Sequence, residues 1–172
     1  MGDIRYGRMT ALSQLVVLKF DNEGTAQQVL GEVGALQKQN LITLDDAATV
    51  VRQADGKPKV KQATSLVGAG ALGGAFWGML IGLLFFMPFL GLAAGALGGA
   101  LGGKFEDIGI DDAFIKQVGA SIQPGQSALF LLIREATPDR VVEALKQYHP
   151  EVIHSSLSAE QEAKLKDAFG QA

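Results

Sequence analysis

The chain contains no cysteine and only two histidines in 172 residues. Disulfide frameworks, thiolate nucleophiles and thiolate metal sites are therefore excluded. His149 and His154 have neither HxxxH nor HExxH spacing, so they are read as partly exposed residues, and no metal or cofactor is expected. A surplus of positive charge is also missing. The net charge is −3 and the Lys and Arg residues are scattered, which offers no basic face to a phosphate backbone. Nucleic acid is not an expected partner. Met1 to Leu15 lacks the continuous apolar core of a signal peptide, so the residues flanking the central segment are expected to stay unexported. Glycine runs such as Gly70 to Gly74 are followed by no GK[ST], and no nucleophile elbow occurs. The chain is read as non-enzymatic.

The most telling absence is local. No charged residue occurs between Lys61 and Lys104, a stretch that holds twelve of the 22 glycines. Two registers of four-residue spacing run through it, Gly70, Gly74, Gly78 and Gly82, then Gly91, Gly95, Gly99 and Gly103. Each register lines one helix face as a shallow groove in which another backbone can approach closely. Pro88 breaks the segment and marks a hairpin turn. Residues 64–86 give a helix of about 23 residues, long enough for an apolar layer of about 30 Å. Residues 89–103 give only about 15 residues, roughly 22 Å, short of a full crossing. Lys57, Lys59 and Lys61 before the hairpin and Lys104 after it favour the cytoplasmic side of a membrane for both ends. Phe85, Phe86 and Phe89 are candidate anchors, whereas Trp77 sits mid-helix and suits packing better. The competing reading is a hairpin buried in a soluble protein. It would require a small fold to hide some 40 mostly apolar residues, with glycine a poor helix former in water.

The flanks have ordinary periodicities. Residues 15–20 suit a buried strand and 25–41 an amphipathic helix. Residues 47–53 and 58–61 read as strands around Asp55-Gly56, a strong hairpin signal. Glu106, Asp107, Asp111 and Asp112 fit no EF-hand, and Asp111 is read as the cap of a helix ending before Pro124-Gly125. Asp45 and Asp46 are read as strand-entry or solvent residues. Residues 127–135 are too apolar for an edge strand. Pro138 starts a helix, 152–157 reads as a strand, and Ser158 with Gln161 has capping-box spacing before a terminal helix. The fold class is thus α+β, a ferredoxin-like βαββαβ sandwich with an appended αβα unit, interrupted by the glycine-rich apolar hairpin. Residues 1–61 and 104–172 form the two parts of the α/β domain and 62–103 the insertion.

Several stretches carry a resemblance: Gly68-Ala69-Gly70-Ala71-Leu72, Trp77-Gly78, Leu80 to Phe86, Gly109-Ile110-Asp111-Asp112, Gln123-Pro124-Gly125 and Ala136-Thr137-Pro138. With them the chain resembles a bacterial family of uncharacterised membrane proteins in which a glycine-rich double helix interrupts an α/β domain. That resemblance implies a membrane location and no activity. The expectation is therefore a structural or regulatory inner-membrane protein, with soluble domain and both termini cytoplasmic. Its hairpin would contact the lipid bilayer and drive homo-oligomerisation. An oligomeric pore or stress-gated channel, and a small-ligand sensor on the ferredoxin-like domain, are the alternatives.

Overall fold

A computed structural model of the chain describes residues 14–62, 73–85 and 110–171. Among the described residues five strands form one sheet: β1 (Gln14–Phe20), β2 (Ile42–Arg52), β3 (Pro58–Gln62), β4 (Ser127–Ala136) and β5 (Glu151–Ser155). Their order is β3-β2-β4-β1-β5, and every neighbouring pair is antiparallel. The fold is mixed α+β. Strand β4 is central because Ala128 to Leu132 are apolar at every position and find hydrocarbon on both faces. Ala128, Phe130 and Leu132 join one core cluster, while Leu129 and Leu131 join the other.

Helices cover both faces. On one lies α1 (Thr25–Lys38), which buries Ala26, Val29, Leu30, Val33 and Leu36, a stripe at helical spacing. Helix α1 ends at Lys38, three residues before the end expected from the apolar pattern, and Asn40 follows it with φ of 60°. The same face carries α4 (Pro138–Leu145) and a 3₁₀ turn at Lys146–Tyr148. The other face carries α2 (Gly73–Phe85) and α3 (Asp112–Ser121). The terminal helix α5 (Ala159–Ala168) begins with the expected capping box of Ser158 and Gln161. Asp111 caps α3 by accepting the Phe114 N–H at 2.8 Å. Gly56 takes φ of +87° in the β2–β3 turn, as the Asp-Gly signal predicts.

Helix α2 corrects the central expectation. It has 13 residues, about 20 Å of rise, against the roughly 30 Å of a bilayer's hydrocarbon. Trp77, Leu80, Ile81 and Leu84 follow the i, i+3, i+4, i+7 pattern, and all are buried against the sheet. No helix among the described residues is long and apolar enough to cross a membrane. The reading as an inner-membrane anchor, with its bilayer-bound oligomer and pore variants, is overturned. Lack of charge is common to lipid contact and to burial against a sheet, and here the sheet needs a second apolar layer that Trp77, Leu80, Ile81 and Leu84 supply. The expected second helix, with Pro88, Gly91, Gly95, Gly99, Gly103 and Lys104, lies outside the described residues, as does Gly70.

Candidate functional site

Helix α2 meets a buried carboxylate. In a regular strand residues two apart share a face, yet Leu44 packs with the α1 side while Asp46 points to α2. The register of β2 against β4 shifts on both sides of Leu44, and this irregularity turns Asp46 inward. Asp46 is fully buried, and its carboxylate accepts the Trp77 indole N–H at 3.2 Å and the Ala47 N–H at 2.9 Å. The reading of Asp46 as a solvent residue is therefore corrected. Trp77 also packs edge-on against Phe130, with centroids 5.9 Å apart. At the same irregularity Asp45 forms an ion pair with Arg134.

Glycine does permit close helix approach, at a position the registers did not include. A Cβ on Gly119 of α3 would overlap the carbonyl oxygen of Leu84 on α2. At Gly78 and Gly82 an added Cβ meets no atom within 4 Å among the described residues. Gly74 falls in the first turn of α2. Lys57 lies in the β2–β3 turn, and Lys59 and Lys61 are exposed on the edge strand β3, where Pro58 and lysines discourage pairing with another sheet. Arg52 stacks 5.1 Å from the Phe85 ring centroid and donates to the carbonyls of Gly56 and Ile122. It ties the hairpin to α2 and the end of α3.

His154, on the other edge strand, stands edge-on to Phe114 at 4.5 Å. Its Nε2 is buried with no hydrogen-bond partner among the described residues. Burial holds its pKa below the ordinary value, against the opposing charges of Glu162 and Asp111. Among the described residues no three His, Asp or Glu side chains gather to hold an ion.

The α1 and α4 face holds a different kind of feature, a cavity of about 280 Å³. Strand residues Val16, Leu18, Ile42, Leu131 and Ile133 make its floor. Val141, Val142 and Leu145 of α4 form one wall, and Leu157, Leu165 and Phe169 form the other. Gln14, Arg134, Glu135 and Gln161 supply polar groups to this otherwise hydrocarbon lining. The space exists because α1 covers only part of the face, and the short α4 and the outlying α5 leave a gap between them. Helix α5 has no fully buried residue. Its Glu162 accepts the Ser155 hydroxyl at 2.7 Å and pairs with Lys166 at 3.3 Å. Burial opposes ionisation of Glu162, but the Ser155 and Lys166 hydrogen bonds and the Lys166 charge outweigh it and lower the pKa. Past the helix end, the Gln171 amide accepts the Val152 N–H at 2.9 Å and donates to the Val152 carbonyl at 3.2 Å. None of the cavity residues was singled out as a site in the sequence. Their signal was only the apolar alternation of strands and helices, which reads the same for a filled core.

A family profile described as a protein of unknown function, DUF1269, matches residues 71–170. Comparison with curated proteins finds no match, and comparison with solved structures finds none either. The profile carries no activity, and it lends nothing to the membrane location or the glycine-rich hairpin implied by the resemblance in the sequence. Covering more than half of the chain, the match establishes that this protein belongs to the DUF1269 family of unknown function.

Proposed function

We propose that the protein is a non-enzymatic binding domain for a small, predominantly apolar molecule, held in the cavity between the sheet and helices α4 and α5. The observation that carries this reading is the cavity itself, about 280 Å³ of space walled by aliphatic side chains with polar groups in its lining. Binding sites for small molecules have this make-up, hydrocarbon walls with a few polar groups that fix orientation. The volume is about twice that of a 150 Å³ cavity known to take up benzene. It suits a two-ring compound such as naphthalene or indole. The lining offers contacts and hydrogen bonds, which is the chemistry of recognition.

The frame supporting the cavity is read as ferredoxin-like, with different members from those expected in the sequence. The run β5-β1-β4-β2, with α1 and α4 on one face, has the strand order and connections of a βαββαβ sandwich. Strand β3 and helices α2 and α3 are then an insertion between β2 and β4 that covers the other face. In this reading α3 is not the second helix of the sandwich, and α4 takes that place.

Titration with naphthalene and indole, followed by thermal unfolding and by NMR shifts of cavity methyl groups, tests the function. Saturation at about 100 times the dissociation constant should raise stability by roughly 2.7 kcal/mol. Val142→Phe, which places a ring in the cavity, should abolish binding while leaving the unliganded protein folded. Failure of both compounds to bind, or binding unchanged by Val142→Phe, would overturn the proposal.

A further inference from the structure

The helix that forms one wall of the cavity is fastened more weakly than α1. Helix α1 buries seven residues, whereas no residue of α5 is fully buried. The free energy holding α5 in place is correspondingly small, and segments with few buried contacts open first. Its ends and its exposed face are satisfied within the helix itself. The capping box satisfies its first turn, Gly170 at φ of +77° lies just past its last, and Glu160–Lys164 and Glu162–Lys166 pair along its length. It can therefore move as a unit.

Half-buried Leu165 and Phe169 pack against the core beneath α5, and side-chain hydrogen bonds join the helix to the edge strand. Gln171 gives Val152 both hydrogen bonds that a neighbouring strand would give, closing the outer edge of β5 with a side chain. Ser155 to Glu162 adds a third bond along the same strand. Water can replace each of these when the helix lifts. Leu165 and Phe169 meanwhile face the cavity, so lifting α5 opens that wall.

We propose that α5 is a lid on the cavity, latched by Gln171 on Val152, and that its opening sets the rate at which ligand enters and leaves. This rests on the cavity being a ligand site. Gln171 does not line the cavity, so its removal should act on rates and not on affinity. The test uses the full chain, with amide hydrogen exchange in the absence of ligand and stopped-flow binding of naphthalene. In the native chain the Val152 amide and the α5 amides should exchange through a local opening, faster than those of α1. Gln171→Ala should speed that exchange about tenfold, the order expected for two neutral hydrogen bonds. Association and dissociation rates should rise together by a similar factor, with the dissociation constant changed less than about twofold. Gln171→Glu keeps the acceptor and loses the donor, so it should fall between. If naphthalene binds with rates unaltered by either variant, the lid is wrong and the cavity stands. If naphthalene does not bind, the cavity reading fails, and exchange in the ligand-free chain still decides whether α5 opens. Exchange of Val152 and α5 only at the rate of global unfolding would overturn the lid.

Discussion

Gly119 and Gly78 both sit in helices, yet the same substitution should act on them in opposite directions. A methyl group at Gly119 is forced against the backbone of Leu84, which cannot swing aside as a side chain would. Gly119→Ala should cost about 1–3 kcal/mol in urea unfolding, the usual range for overpacking. Gly78→Ala meets open space in a helix interior and should be neutral or stabilising by up to about 1 kcal/mol. His154 makes a second prediction, in pH. Burial lowers its pKa in the folded chain below 6.5, so on acidification the unfolded chain takes the proton first. Stability should be constant above that value and decline as pH falls below it. Glu162, also lowered in the folded state, contributes stability above its ordinary 4.5 that is lost as pH falls through the folded value. Urea midpoints between pH 7.5 and about 3 should therefore fall in two stages, and His154→Phe should remove the upper one. Residues whose partners are near in sequence were legible beforehand, as with Ser158 and Gln161, Asp111 and Phe114, or Asp55 and Gly56. Asp46 and Gly119 were not. Their roles depend on Trp77 and Leu84, side chains and backbone that only the packing of α2 brings close.

Among the elements, α2 is where sequence and structure part. A count of uncharged residues treats a lipid-facing helix and a core helix alike, since both are hydrocarbon surrounded by hydrocarbon. The sequence holds no discriminating signal, because Phe76, Met79, Leu83 and Phe85 make the segment apolar all round, and only packing shows that Trp77, Leu80, Ile81 and Leu84 meet the sheet while Gly78 is exposed. If α2 is a layer of this fold, Leu80→Ala should lower the stability of the whole domain by about 2–5 kcal/mol in a single cooperative transition, as large-to-small changes at fully buried sites do. A helix outside the core would leave the unfolding of the sheet unchanged. Strand β4 shows the opposite case, because a run apolar at every position has only one place to go in an antiparallel sheet. Strand β2 begins five residues before the strand expected at 47–53, for which Asp45 and Asp46 read as entry or solvent residues. The irregular register admits both, one paired with Arg134 and one with Trp77.

In the whole molecule, the sheet separates two differently built faces. One is filled by α2 and α3 and is anchored by the pair of Trp77 and Asp46. The other leaves room between α4 and α5, and the proposed binding function lives in that gap. No sequence pattern could have disclosed a cavity, because it is a property of how far helices stand from a sheet. The central claim is that the apolar helix at residues 73–85 is a core layer of the domain. Trp77, the only tryptophan in the chain, reports on it directly. Its fluorescence should be measured in the presence of vesicles bearing quenchers in their acyl chains, and separately with an aqueous quencher. The account predicts emission shielded from both in the folded chain, with access to the aqueous quencher gained on unfolding in urea. Strong quenching from within the acyl chains would place α2 in lipid and contradict it.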